Sequence, residues 1–337
     1  MNAKERVMAV LNHQKPDRMP CFTANSTVTY DQMEKVGAYW PEGHDEAEPM
    51  AKQAMAAYTV LGFDVVRAPF DQMTEAEALG AKVKSGGTKG IPGMAEPPIY
   101  TIDDTPPKEL PADYLSRGRI PALLEAITIM KKELGDEVLI EGGIIGPFSI
   151  AAYLLGVTKT LKASLKAPDK LRPFLEISEK AGTVLAHALI DAGADIIANE
   201  DMTASPDIIM PKSYHDLVYE FQAKQFEEIK VPTILHICGD VGSIIEWEGK
   251  SGPDILSLEP ATDLKLAREI VGPKPIFMGG ADAAKVLFMK TPDEVKAACK
   301  EQIEAGIQIL APGCAVAPGT PTENLVAMVE VAKSYTY

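Results

Sequence analysis

Cysteine is scarce in this chain. Four in 337 residues are too few for a disulfide framework, so in a reducing compartment each is core filler, a nucleophile or a metal ligand. Basic charge is scarce too: 33 Lys and Arg stand against 48 Asp and Glu, a net charge of −15. That leaves no basic surplus to neutralise phosphates, which argues against nucleic acid and against an anionic membrane surface. Long apolar runs are missing, and the opening Met1-Asn-Ala-Lys-Glu-Arg does not read as a signal peptide. The expected location is the cytoplasm. What remains is ordinary globular composition, 46% hydrophobic and 24% charged, in a length that suits one large α/β barrel or two smaller domains.

One unit recurs. An amphipathic helix ends, a Gly caps it, and a short apolar run follows, as at Gly62-Phe-Asp-Val-Val, Gly135-Asp-Glu-Val-Leu-Ile, Gly193-Ala-Asp-Ile-Ile, Gly252-Pro-Asp-Ile-Leu, Gly272-Pro-Lys-Pro-Ile-Phe and Gly306-Ile-Gln-Ile-Leu. Runs this short and continuous suit strands buried on both faces. Two more complete the set, giving strands near 19–24, 63–68, 137–143, 194–200, 232–238, 254–259, 275–280 and 307–312. Between them, Leu123, Ile127, Met130 and Leu134 recur at helical spacing, while Thr291-Pro-Asp-Glu294 and Thr320-Pro-Thr-Glu323 each read as a capping box. Eight strands alternating with helices give a (β/α)8 TIM barrel; a doubly wound open sheet is the alternative. The whole chain is read as one barrel domain. The Gly- and Pro-rich span 81–120 is an excursion between the second and third strands, a hairpin or lid.

Chemistry in such a barrel sits at the C-terminal strand ends. The fifth expected strand ends His236-Ile-Cys238, whose side chains, two apart, face the same side. The eighth runs into Gly313-Cys314, a second thiol on the same rim. One imidazole and two thiolates with a fourth position open match a catalytic zinc site. A Cys–His nucleophile pair is the other reading, but it leaves one thiol unexplained. Glu259, at the end of the sixth strand, is a candidate for the fourth position and a catalytic role. Asn199, Glu200 and Asp201 end the fourth strand, and register decides which faces the cavity; Asp201 is taken as catalytic and Asn199 as substrate-binding. Arg67 is a candidate for an anionic substrate group or an ion pair, and the backbone near Gly280 for an anion. Cys21 and Cys299 read as core, and His44 as a solvated loop residue.

Taken together, these residues resemble the uroporphyrinogen decarboxylase superfamily, in its methylcobamide:coenzyme M methyltransferase branch. The resemblance spans the chain through Lys15-Pro-Asp-Arg-Met-Pro, Trp40-Pro-Glu-Gly-His44, Arg117-Gly-Arg-Ile-Pro121, Gly146-Pro147-Phe and Ala204-Ser-Pro-Asp207. Its most specific parts are Leu235-His-Ile-Cys-Gly239 and Leu310-Ala-Pro-Gly-Cys314. It implies one Zn²⁺ on His236, Cys238 and Cys314, with Glu259 able to fill the fourth position. It further implies methyl transfer from a methylated corrinoid protein to a thiol, coenzyme M in that branch, as in methanogenic one-carbon metabolism. The corrinoid must come on a partner, because the chain carries no D-x-H-x-x-G signature. Another thiol or a pterin as acceptor stays open, as does tetrapyrrole decarboxylation, which would leave the metal set idle.

Overall fold

Aliphatic runs with no polar face need cover on both sides, and the chain supplies it by alternating them with helices. In a computed structural model, which describes residues 1–95 and 97–336, seven parallel strands form one sheet. They are β1 (Val65–Ala68), β4 (Leu139–Ile145), β5 (Ile196–Glu200), β6 (Thr233–His236), β7 (Ile255–Leu258), β8 (Ile276–Gly279) and β9 (Ile309–Leu310), hydrogen-bonded in that order. The order follows the chain and never reverses, which rules out the doubly wound alternative. Two further strands, β2 (Val83–Lys84) and β3 (Gly93–Met94), pair antiparallel between β1 and β4. Glu96, inside the excursion expected at 81–120, and Tyr337 lie outside the described residues.

The first expected strand, 19–24, is not a strand. Cys21 makes a single parallel bridge to Leu310. Phe22 N–H donates to Leu310 O at 3.1 Å and Leu310 N–H to Pro20 O at 3.0 Å. Pro20 has no N–H to lengthen the ladder. Toward β1 a side chain takes over: Asp64 N–H donates to Cys21 O, and the Asp64 carboxylate accepts Cys21 N–H, both at 2.8 Å. Residues 20–22 thus fill the eighth place and close the TIM-barrel-like ring.

Alternation along the strands builds two faces. Inward, Phe22, Val65, Leu139, Ile196, Ile234, Ile255, Ile276 and Ile309 pack with Val7 and Val10 of the helix Ala3–Leu11. Outward, Val66, Ile140, Ile197, Leu235, Leu256 and Phe277 join the helix residues Leu123, Ile127, Leu185 and Leu189. The Thr291 capping box forms as expected on the helix Pro292–Ala305. The one expected at Thr320 does not, because that helix starts only at Thr322, with Pro321 before it and no side-chain cap. Gly193 and Gly306 follow their helices at φ 122° and 115°, where other residues are strained, whereas Gly135 sits at φ −63°. No helix among the described residues is long and apolar enough to cross a membrane.

Candidate metal centre

Two residues beyond the apolar layer, the inward face turns polar: Val65 is followed by Arg67, Leu139 by Glu141, Ile234 by His236 and Ile255 by Ser257. His236 ends β6 and is wholly buried. Cys238 lies just beyond the strand, and Cys314 four residues beyond β9. The Cys238 Sγ is 3.6 Å from His236 Nε2 and 3.6 Å from Cys314 Sγ. Glu259 joins them, and one donor atom from each of the four lies within 4.8 Å of the others.

This donor set fits zinc. With Zn–S of about 2.3 Å and Zn–N of about 2.0–2.1 Å, tetrahedral ligands stand about 3.5–3.8 Å apart, the spacing of the sulfurs and the imidazole. His236 Nδ1 lies 3.2 Å from the Ser257 carbonyl and 3.1 Å from its hydroxyl. A carbonyl only accepts, so Nδ1 carries the proton and Nε2 turns its lone pair toward the sulfurs. The hydrogen bond from Cys238 holds the Cys314 thiol well below its usual range, and the same bond, with burial, pushes Cys238 far up. Burial opposes a charge on His236, but Cys314 outweighs it and the imidazole pKa rises. Burial also raises the Glu259 carboxyl, against the pull of the Gly239 N–H that donates to its Oε1 at 2.8 Å.

The loop carrying Cys238 is fixed by the Ala204-Ser-Pro-Asp207 motif. Ser205 Oγ donates to the Cys238 carbonyl at 2.7 Å. Gly239 has φ +86°, and a Cβ there would lie 2.2 Å from Asp207 Oδ2. Only glycine fits after Cys238.

The other sequence candidates are not brought to this cluster. Asn199 faces the helices, donating to Gln225 Oε1 at 2.7 Å. Asp201 accepts from Ser149 N and Oγ at 2.8 and 2.7 Å and from Gln222 Nε2 at 3.0 Å, fixing the start of the helix Pro147–Leu155. Glu200, between them, faces inward as the register partner of His236. It accepts from Asn25 Nδ2 at 2.8 Å, from Gln72 Nε2 at 2.9 Å and from Arg67. Arg67 also donates to Glu141 Oε1 at 2.8 Å and Pro69 O at 2.9 Å, lying where a Cβ on Gly143 would collide with it. Gly280 packs against β9, its missing Cβ 2.2 Å from Ala311 O. The helical amides beyond it, Ala284 N and Lys285 N, donate to the chain's own Asp282.

His44, expected in solvent, is 2% exposed. Its ring lies 4.7 Å from that of Trp40, and its Nδ1 is 3.2 Å from Asp71 Oδ2, a carboxylate that Arg119 grips with two N–H groups at 2.6 and 3.0 Å. The conspicuous motifs Trp40–His44 and Arg117–Pro121 therefore converge on Asp71. Cys21 and Cys299 are buried as expected.

Known proteins follow the same plan. A family model described as uroporphyrinogen decarboxylase (URO-D) matches residues 2–335. A methylcobamide:CoM methyltransferase of Methanosarcina acetivorans is 36% identical over 99% of this chain and 98% of its own. One from Methanosarcina barkeri is 35% identical over 98% of both. A solved methyltransferase from Methanosarcina mazei, 35% identical, superposes with a TM-score of 0.94 over 99% of this chain and 98% of that one.

Proposed function

Because the chain belongs to the uroporphyrinogen decarboxylase family and is one of its methyltransferases, we propose that it moves a methyl group from a methylated corrinoid protein to the thiol of coenzyme M, with one Zn²⁺ on His236, Cys238 and Cys314. The observation that carries this reading is the meeting of one imidazole and two thiols at tetrahedral spacing on a barrel mouth. Zinc held there supplies the Lewis acidity that favours the thiolate of an acceptor whose free pKa of about 8.5 leaves it mostly protonated at neutral pH. Two thiolates and a neutral imidazole offset the dication, so the acceptor sulfur keeps its nucleophilicity. In the transfer a sulfur–carbon bond forms, the cobalt–carbon bond breaks, and its electron pair stays on cobalt as Co(I). The corrinoid enters on its partner protein, in the cytoplasm.

The chain's own residues orient and exclude. Ser257 sets the His236 tautomer. Glu259, with one oxygen on Gly239, would be the carboxylate available to the fourth position of the zinc. Arg67, paired with Glu141 and Glu200, would have to exchange one of them for the acceptor's sulfonate. Gly280 lets β8 and β9 close behind Cys314, while Asn199 and Asp201 act through the helices they fix.

The test is metal analysis of the purified protein, then anaerobic demethylation of methylcobalamin with a panel of thiols, monitoring proton release. About one zinc per chain and about one proton released per site on adding coenzyme M are expected. Release with simple thiols but none with coenzyme M would keep the metal chemistry and sink the acceptor. No release with any thiol would sink both.

A further inference from the structure

The β2–β3 hairpin carries a charge that the loops around the metal cluster do not. Residues 81–95 hold Lys82, Lys84 and Lys89 and no acid, in a chain of net charge −15. All three lysines are exposed, and none forms an ion pair among the described residues. The loops after β5 to β9 are the reverse. Residues 201–210, 237–244, 259–263, 280–290 and 311–321 bring Asp201, Asp207, Asp240, Glu259, Asp263 and Asp282, with only Lys285 and Lys290 against them. Both of those lysines are paired, with Asp282 at 3.7 Å and with Glu294 at 3.1 Å.

The hairpin stands on the same rim as the cluster. It follows the C-terminal end of β1, and Val83 and Met94 pack against Ile145, at the end of β4, with Ile150, Tyr153 and Leu154 of the helix beyond. Its tip is tightly folded: a Cβ on Gly86 would lie 2.1 Å from Gly90 O, and Tyr30 Oη donates to Lys89 O at 2.7 Å. Tyr30 and Ile91, 37% and 53% exposed, add apolar surface beside the charges. The barrel mouth is therefore polarised, basic over β1 and β4 and acidic around the metal ligands. Opposed charge of this kind speeds encounter and fixes the register of a partner. Register matters here, because a sulfur must meet a cobalt-bound methyl in line. We propose that the hairpin docks the corrinoid-carrying donor protein by an acidic face, with Lys82, Lys84 and Lys89 as the charges and Tyr30 and Ile91 as the apolar centre. This rests on the reading of the donor as a methylated corrinoid protein.

The experiment compares two methyl donors, free methylcobalamin and a methylated corrinoid protein from Methanosarcina barkeri, the source of a 35% identical relative. The triple variant Lys82→Glu, Lys84→Glu, Lys89→Glu should raise KM for the protein donor about tenfold or more, the scale of lost electrostatic steering. Its kcat, its zinc content and its rate with free methylcobalamin should match the wild type, because the free cofactor has no protein face to dock. Raising ionic strength from about 0.01 to 0.15 M shortens the screening length from about 30 to 8 Å. That should raise the wild-type KM for the protein donor and leave that of the triple variant Lys82→Gln, Lys84→Gln, Lys89→Gln nearly flat. The neutral variant also decides the matter if the reversed one does not fold. Unchanged KM in both variants, a KM that falls on reversal, or equal losses with both donors overturns the docking role. So does a wild type that uses free methylcobalamin but not the corrinoid protein. A wild type that uses neither donor sinks the methyl-transfer reading, and the docking with it.

Discussion

The two ends of the barrel are built from the same strands and treat polar groups in opposite ways. At the N-terminal end, the buried Asp64 has every bond it can use: Arg6 Nη1 at 2.8 Å, two N–H groups of Arg18 at 2.9 and 3.0 Å, and the Cys21 N–H. At the C-terminal end, one guanidinium, Arg67, serves two buried carboxylates, and Glu141 Oε2, Asn25 Oδ1, Gln53 Nε2 and His44 Nε2 have no partner. The step from one regime to the other takes only two residues per strand, from Ile234 to His236 or from Val65 to Arg67. A closed network holds the ring shut. An incompletely satisfied one leaves groups ready to bind something that is not protein.

The largest break in this comparison should come from Asp64→Ala. It leaves Arg18 without its carboxylate and Arg6 with Asp17 alone, and should cost about 3–5 kcal/mol of stability, read from urea unfolding. The zinc affinity of the molecules that still fold should be unchanged. A small stability loss would mean that the closed end does not hold the ring. At the other end the pattern inverts: Cys238→Ala or Cys314→Ala should abolish zinc binding and methyl transfer while far-UV circular dichroism keeps its shape. If both variants retain stoichiometric zinc, the ligand assignment is wrong.

Ser257→Ala sharpens the contrast at smaller scale. The carbonyl still orients His236, so zinc affinity should fall about tenfold, the low end for losing an outer partner of a metal ligand. A competitive chelator titration reads this. An unchanged affinity would show that the carbonyl alone suffices.

Acid and base should also tell the two ends apart. At the closed end, the hydrogen bond from Arg6 holds the Asp17 carboxyl well below the usual carboxylate range. Its contribution is present above the unfolded pKa of about 3.9 and is lost as pH falls through the depressed folded value. At the open end burial pushes Glu141 up to about 8, although Arg67 pulls it down. Its contribution is complete below the unfolded value of about 4.3 and is lost as pH rises toward about 8. Glu141→Gln should therefore reduce the decline in stability between about pH 4 and 8, leaving the share of Glu75 and Glu248, which burial also pushes to about 8. An undiminished slope would show Glu141 ionised in the folded chain.

Much of this was readable from residue order. The helix–Gly–strand unit is local chemistry, and the barrel follows from repeating it. His236 and Cys238 stood out because two polar residues two apart at the end of an apolar run must share a face. Parity at the end of β5 was not readable. Asn199-Glu200-Asp201 offers polar groups to both faces, and the outward pair bonds to Gln225, Gln222 and Ser149, none of them a neighbour in sequence. Register with His236 singles out Glu200, and register is a tertiary property. His44 was misplaced for the same reason, since its partner Asp71 and the Arg119 behind it come from two later segments. The 19–24 run has the hydrophobicity of a strand, yet Pro20 and the Asp64 carboxylate reduce it to one bridge.

That bridge has a mechanical consequence. The junctions between the named strands are runs of backbone bonds that must be broken in shear, whereas residues 20–22 hold Leu310 by two bonds. The seam between Cys21 and Asp64 is pinned by one amide and one carboxylate, and the N-terminal helix hangs from the same carboxylate through Arg6. A chain pulled by its first residue would part there, peeling off the helix that plugs the barrel floor while His236, Cys238 and Cys314, on the far rim, stayed where they are.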